Sequence, residues 1–249
     1  MPVLAKNITY VPGTYAKRRP DYAITAERYM QAWEKKRPEA DSQRKKSADI
    51  APTICFSRKI GVGALEIADM LALKIGCRVA DRLILEQIAA KKGLSKKSVA
   101  FFDERYPGKM SELAAFLFGD KSFTMGDYTK ALFRSIFSLA SDESTIFVGR
   151  GSHLVLPRNR VLAVRCICSK AYRIKRLAKI LKVSESEAEK KLDEVDKEQR
   201  EFFRKVFRRN DASPYEFDLV INMDFIEKHT WAADVVETAF RVKFKNEVP

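Results

Sequence analysis

Histidine and cysteine are scarce in this 249-residue chain, with 2 and 4 copies, and no C-x-x-C pair occurs. A zinc enzyme built on His and Cys ligands is therefore set aside. Cys55, Cys77, Cys166 and Cys168 sit in apolar stretches rather than in a loop-rich framework, so they read as reduced core residues, not as disulfides. No apolar run approaches the roughly 18 residues that would suggest a transmembrane helix. The opening residues Met1 to Lys6 lack the charged-then-apolar layout of a secretory leader. The expectation is a cytoplasmic protein with no membrane contact. What the chain has in excess is positive charge: 47 Lys and Arg against 33 Asp and Glu, a formal net charge of +14. Such a surplus favours phosphates, on nucleotides or on nucleic acid. Residues 1–50 carry 11 basic and 6 acidic side chains, leaving 36 against 27 in the rest, so a basic tail alone does not account for it.

The chain divides into a basic N-terminal extension and linker, residues 1–51, and an α/β body from residue 52 to about 245. The extension contains one short helical pattern near Ala26–Lys36. Residues 37–49 are polar and nearly free of large apolar side chains, which marks a linker. From Thr53 onward, short apolar runs alternate with helical patterns. Strands are expected at Thr53–Ser57, Arg78–Ala80, Thr145–Gly149, Val161–Ile167 and Phe217–Asn222. Between them lie helices at Ala64–Ile75, Arg82–Lys92, Lys170–Leu181 and Glu185–Arg209, with a last helix at Trp231–Phe240. Five strands separated by helices predict a parallel five-stranded sheet covered on both faces. Ligands of such sheets sit at the carboxyl ends of the strands, so the turns there are where chemistry is to be sought.

The first of those turns, SRKIGVGALE over residues 57–66, runs a strand through two glycines directly into a helix. Gly61 and Gly63, around Val62, permit backbone angles that let successive N–H groups curl around an anion, and the helix start adds partial positive charge. Arg58 and Lys59 lie in the same turn and offer full charges. A tight turn with no ligand would have the same local pattern. It is not a true P-loop: Ala64 stands where a P-loop has its Lys, and Glu66 where it has the Ser or Thr that touches magnesium.

FSRKIGVGALEIA over 56–68 is similar to the opening of the cytidylate kinase-like family, and further matches follow in order. ADRLI at 80–84 resembles the family's segment after the second strand. FVGRGSHLVL at 147–156 resembles its Val-Gly-Arg-Gly turn, DKEQREFFR at 196–204 its lid helix, and YEFDLVIN at 215–222 its final strand. The resemblance implies a P-loop NTPase-like α/β core with an Arg-rich helical lid at about 184–210 and a monophosphate-covering region at about 96–127. It implies transfer of the γ-phosphoryl group of ATP, with Mg2+, to a pyrimidine monophosphate such as CMP. Residues 58–65 (Arg58, Lys59, Gly61, Val62, Gly63, Ala64 and Leu65 among them) and Arg173 would hold ATP, with Arg173 near the adenine. Asp81, Arg82, Arg150 and Asp196 would hold the acceptor, and Arg150, Arg200 and Arg204 would act on the phosphates. Ser57 and Glu66 are the candidates nearest a nucleotide-borne Mg2+. Independently of the family, phosphoryl transfer relies on positioning and on cations around the transferred group, and a site rich in Arg but poor in His and Cys fits that demand.

Several residues keep a plain structural reading beside the functional one. Asp196, Arg200, Arg204 and Arg208 recur every four residues and would form one helical stripe, with Val195, Phe202, Phe203, Val206 and Phe207 turned elsewhere. That stripe is a phosphate grip or a solvated charged face with Asp196 pairing Arg200. Arg150 between Gly149 and Gly151 reads as a ligand contact or a loop-fixing salt bridge. Asp81 is also the natural cap of the helix that follows it. Arg173 on an exposed helix would simply be solvated. The aromatics Phe101, Phe102, Tyr106, Phe116, Phe118 and Phe123 read first as core, and His153 and His229 have no evident partners. Ala64 and Leu65 depart from the family's Gly and Arg or Ser, and Gly151 stands where its cytidylate kinases have an Asp. Three readings result: an active monophosphate kinase; a nucleotide-binding or sensing protein of the same fold with little turnover; and a nucleic-acid binder using Lys17 to Arg19, Lys35 to Arg37 and Arg44 to Lys46.

Overall fold

A computed structural model describes residue 15 and residues 21–35, 50–90, 126–245 and 247. Most of the basic extension, including Lys17 to Arg19 and Arg44 to Lys46, lies outside the described residues. So do the linker and all but the end of the 96–127 region with its aromatics. Five strands, β1 (Thr53–Arg58), β2 (Arg78–Asp81), β3 (Thr145–Val148), β4 (Val161–Ile167) and β5 (Leu219–Asn222), form one sheet in the order β2-β3-β1-β4-β5. Every neighbouring pair is parallel, with Ile54 opposite Ile146 on one side of β1 and Cys55 opposite Ala163 on the other. All six residues of β1 are buried, the apolar Ile54, Cys55 and Phe56 at its centre and the polar Thr53, Ser57 and Arg58 at its ends, as a central strand covered on both faces requires.

The helices are α1 (Tyr22–Lys35), α2 (Ala64–Ile75), α3 (Arg82–Ala90), α4 (Asp127–Asp142), the single turn α5 (Ser152–Val155), α6 (Lys170–Leu181), α7 (Glu185–Phe207) and α8 (His229–Lys243). Alternate strand residues face opposite layers. Ile54, Phe56, Ile146, Val148, Leu162 and Val164 pack with Ile67, Leu71, Val236 and Phe240 of α2 and α8. Cys55, Ala80, Phe147 and Ala163 pack with α1, α3, α4 and the carboxyl end of α7. A smaller cluster of Ile60, Leu177, Ala188, Leu192 and Val195 joins α6 and α7 to the first glycine turn.

Three boundaries differ from the sequence expectation for local reasons. Helix α1 starts at Tyr22 because the Asp21 carboxylate accepts from Ala23 N at 2.7 Å and Ile24 N at 3.1 Å. It is also part of the body: Ala26 and Trp33 are buried in the core, and Trp33 Nε1 donates to Ser141 Oγ at 3.3 Å. Residue 15 is tied in as well, its hydroxyl donating to the buried Asp69 of α2. The last strand begins at Leu219, because Pro214–Glu216 is a short helical turn and the Asp218 carboxylate accepts Ala163 N at 2.7 Å. Helix α7 stops at Phe207, and Arg208 turns left-handed at φ 54° as its cap. Arg208 is thereby removed from the stripe of Asp196, Arg200 and Arg204. Gly76, expected at the end of α2, caps it at φ 66°.

Candidate active site

Strand β1 lies where the sheet order diverges, with β3 on one side and β4 on the other, so a crevice opens beyond its carboxyl end. Three adjoining hollows occupy that edge. The first, open to solvent, is walled by Arg58 through Glu66 together with Arg176 and Ile180 of α6. Its turn is pinned from below by Ile60 and Val62, each 1% exposed. Gly61 and Gly63 adopt φ 85° and 90°, the left-handed region open to glycine. A side chain at Gly63 would also collide with His229, whose Nε2 would lie 2.1 Å from the added Cβ. The first-turn amides of α2 have no carbonyl one turn back to accept them, so this end of the hollow presents donors.

The side chains around the turn are committed in ways the sequence did not reveal. Arg173 is neither exposed nor stacked over open space. It is 5% exposed, and its Nη1 donates to both Asp196 oxygens at 2.8 and 3.0 Å and to Ile60 O at 3.4 Å. Arg173 thus clamps the glycine turn to α7, and Asp196 pairs it rather than Arg200. Leu65 is 6% exposed and packs in the core beneath α2, so only backbone faces the hollow at that position. Ser57 Oγ accepts from Arg165 Nη1 at 2.8 Å. Glu66 accepts from Arg176 Nη2 at 2.7 Å, with His229 Nε2 3.9 Å away. Burial pushes the His229 imidazole below its ordinary value, against the pull of Glu66 and with the push of Arg176, so it is neutral at pH 7.

The second hollow is lined by Ser57, Arg58, Arg82, Gly149, Arg150, Gly151, Gln199, Phe202 and Phe203. Three guanidinium groups and no carboxylate line it among the described residues. Gly149, Arg150 and Gly151 all have positive φ, at 91°, 55° and 67°. This left-handed run directs Arg150 inward from the end of β3. The Arg150 guanidinium lies 3.9 Å over the Phe202 ring and pairs with Glu86, while its Nε is buried with no hydrogen-bond partner among the described residues. Burial, then the like charges of Arg82 and Arg58, push its pKa down to about 9. Glu86 also accepts Arg82 Nε at 3.0 Å. Asp81 caps α3, accepting Ile84 N at 3.0 Å, and is 4% exposed. Above Gly151 stands Phe207, whose ring would lie 2.4 Å from an added Cβ.

The third hollow is lined by Lys59, Asp196, Gln199, Arg200, Phe203, Asn210 and Asp211. Arg200 therefore faces Lys59 across the cleft, whereas Arg204 is exposed on α7 and lines none of these three hollows. Gln199 joins the second and third hollows: its Nε2 donates to Arg58 O at 2.9 Å, and its Oε1 is buried with no hydrogen-bond partner among the described residues. The structure thus gathers Arg58, Lys59, the glycine turn, Arg82, Arg150, Asp196 and Arg200 along one edge. Sequence reasoning missed Arg176, His229, Gln199, Glu86 and Phe202. The spacing of Arg176 and Arg173, three apart on one helix, was the one available signal.

The model of the cytidylate kinase-like family matches residues 53–225, and the chain belongs to that family. The match opens with β1 and ends just beyond β5, leaving α1 and α8 outside it. The fold is similar to the crystal structure of an uncharacterized protein from Eubacterium ventriosum, with a TM-score of 0.60 and 18% identity over 78% of this chain and 99% of that one. A shikimate kinase from Bacteroides thetaiotaomicron matches with a TM-score of 0.38 and 12% identity, over 78% of this chain and 98% of that one. No curated protein matches.

Proposed function

We propose that this chain is a phosphotransferase moving the γ-phosphoryl group of ATP to a nucleoside monophosphate, with a pyrimidine nucleotide such as CMP as the acceptor. The observation that carries the reading is the position of Arg58. It lines both the glycine-turn hollow and the three-arginine hollow, so two phosphates bound there would meet at its side chain. The turn's amides and Lys59 would take the donor phosphates. Arg82 and Arg150 would take the acceptor phosphate, and Arg200 would close from α7 on the group in transit. An acceptor phosphate oxygen attacks Pγ as the bridging bond to the β-phosphate breaks, leaving ADP. A phosphate dianion is already a nucleophile at pH 7, which fits a site without a catalytic histidine.

Magnesium would arrive with the nucleotide and neutralise charge between the β- and γ-oxygens. No cluster of three His, Cys, Asp or Glu residues stands ready for a metal among the described residues. Glu66 is the carboxylate lining the glycine-turn hollow and fits a single contact to such an ion, whereas Ser57 is already held by Arg165. Gly151 is crowded by Phe207, so the acceptor's base would be chosen by other groups. An ADP-release assay with CMP, UMP, AMP and GMP tests the proposal. Turnover with CMP well above the purine monophosphates supports it, and no turnover with any monophosphate refutes the kinase. The second reading, a nucleotide-binding protein with little turnover, is favoured by Leu65 being buried and by Glu66 holding Arg176. It is the outcome if ATP binds and no ADP forms.

A further inference from the structure

The glycine-turn hollow holds a cation that the sequence did not single out. Arg176 leaves α6 and enters this hollow beside Ile180, with 18% of its side chain exposed. Its Nη2 donates to Glu66 at 2.7 Å, and its Nε is buried with no hydrogen-bond partner among the described residues. Glu66 comes from the opposite wall, in the first turn of α2, where a negative charge is favourable. The carboxylate therefore lies where the fold best accommodates an anion. His229, whose Nε2 has no hydrogen-bond partner among the described residues, stands 3.9 Å from the same Glu66 oxygen.

We propose that Arg176 is the donor-phosphate cation of this site, held by Glu66 in the ligand-free protein and passed to the terminal phosphates of a nucleoside triphosphate on binding. The inference rests on the donor-site reading above. It adds what the turn itself lacks at Ala64 and Leu65, a full positive charge entering the hollow from another wall. The exchange makes and breaks no covalent bond. Arg176 trades one anion for another, and Glu66 keeps His229 and the first-turn amides as neighbours. Glu66 is then a competitor for the cation, and its neutralisation should strengthen binding of a metal-free polyphosphate. Removing a carboxylate from the hollow also lifts its direct repulsion of the polyanion, so the gain assigned to Arg176 is the part of the E66Q effect that is lost when R176A is added.

Isothermal titration of the full chain with inorganic tripolyphosphate, in EDTA, tests this directly. R176A should bind roughly tenfold or more weakly than wild type. E66Q retains an oxygen for Arg176 but not its charge, and should bind several-fold more tightly. Equal affinity of R176A and wild type overturns the proposal, as does weaker binding by E66Q. If R176A fails to fold, R176Q replaces it, alone and combined with E66Q, and an E66Q gain of the same size with and without the Arg176 charge overturns the proposal. A wild-type chain that binds neither tripolyphosphate nor ATP removes the donor-site reading and this inference together. Wild-type binding of both, unchanged in R176A, removes only the role of Arg176.

Discussion

Replacing Arg150 with Met should weaken anion binding in the three-arginine hollow by about 10- to 100-fold while leaving the fold nearly as stable as before. The Arg150 side chain is 8% exposed, and its pKa is held at about 9 rather than 12.5. A displacement of that size sets roughly 4–5 kcal/mol against the buried cation. The sign is fixed: with the folded value below the unfolded one, the cost is present in full at every pH below about 9. Opposing it are the Glu86 ion pair and the Phe202 ring, the latter worth about 0.5–2 kcal/mol. Methionine keeps the packing on Phe202, removes the buried charge and leaves Glu86 to Arg82. Those terms largely offset, so a urea midpoint equivalent to within about 1–2 kcal/mol of wild type is expected. Binding behaves differently, because a charged contact to phosphate contributes about 1.5–3 kcal/mol, or roughly 10- to 100-fold in affinity. The assay is thermal unfolding with increasing CMP or inorganic phosphate. At a ligand concentration near 100 times Kd, wild type should gain about 2.7 kcal/mol, or about 5–10 °C in Tm. R150M at the same concentration should gain about 0.4–1.4 kcal/mol, roughly half the wild-type shift or less. Retention of the full ligand shift by R150M would refute the assignment, and collapse of the unliganded fold would make Arg150 a strut instead.

Other perturbations test other parts of the cleft. Gly151→Ala should cost about 1–3 kcal/mol in a urea titration, since its Cβ would lie 2.4 Å from the Phe207 ring at φ 67°; an unchanged midpoint would mean that the ring swings clear. Gly63→Ala drives a Cβ to 2.1 Å from His229 Nε2, so combining it with His229→Ala should recover about 0.5–3 kcal/mol of the loss; strictly additive effects would show that the two do not touch. Burial pushes both His153 and His229 below the ordinary imidazole value. The unfolded chain therefore takes up protons first, and stability should fall as pH drops through about 6.5, measured as urea midpoints from pH 7.5 to 5.5. Around His153 lie Glu216, Arg158 and Arg165, and around His229 lie Glu66 and Arg176. A flat profile would mean that the two imidazoles take up protons as readily in the folded protein as in the unfolded chain.

The legible parts of the sequence were those where one residue decides its own surroundings. The apolar run of β1, the paired glycines after it and Gly76 each dictate a local conformation, and all three occur as expected. Arg150 was legible because left-handed residues on both sides can place only that side chain at the end of β3. Arg173 was not, since periodicity cannot tell that α7 and the glycine turn would bury the face of α6 that carries it. Trp33 was hidden by polar, basic neighbours on either side of α1, which disguise an amphipathic helix as part of a tail. His229 and Gln199 act from helices far along the chain, 166 and 141 positions from the groups they meet at Gly63 and Arg58, and no spacing rule spans such distances.

The departure at Leu65 and the placement of the cations follow from one packing constraint. Helix α2 leaves the glycine turn with its first residues already against the sheet, so Ala64 and Leu65 are 2% and 6% exposed. A lysine or arginine at residue 65 in that orientation would place a charge among Ile54, Phe56 and Ile67, at a cost of several kcal/mol unless a partner followed it inside. The helix therefore cannot supply the charge that a triphosphate needs, and its first ionisable residue is the acidic, half-buried Glu66. Cations reach the turn from other elements instead: Arg58 and Lys59 from the end of β1, Arg176 from α6, and Arg200 from α7 across the neighbouring hollow. Two of these four sit on α6 and α7, which pack on each other and are braced to the turn by the Arg173–Asp196 pair. Any movement of that helical pair would carry Arg176 and Arg200 together, so phosphate affinity at the glycine turn should depend on the Asp196 carboxylate although it faces Arg173. Asp196→Asn is expected to weaken tripolyphosphate binding while ATP contacts made by Arg58 and Lys59 persist. A binding isotherm unchanged by that substitution would show that the turn holds its shape without the brace.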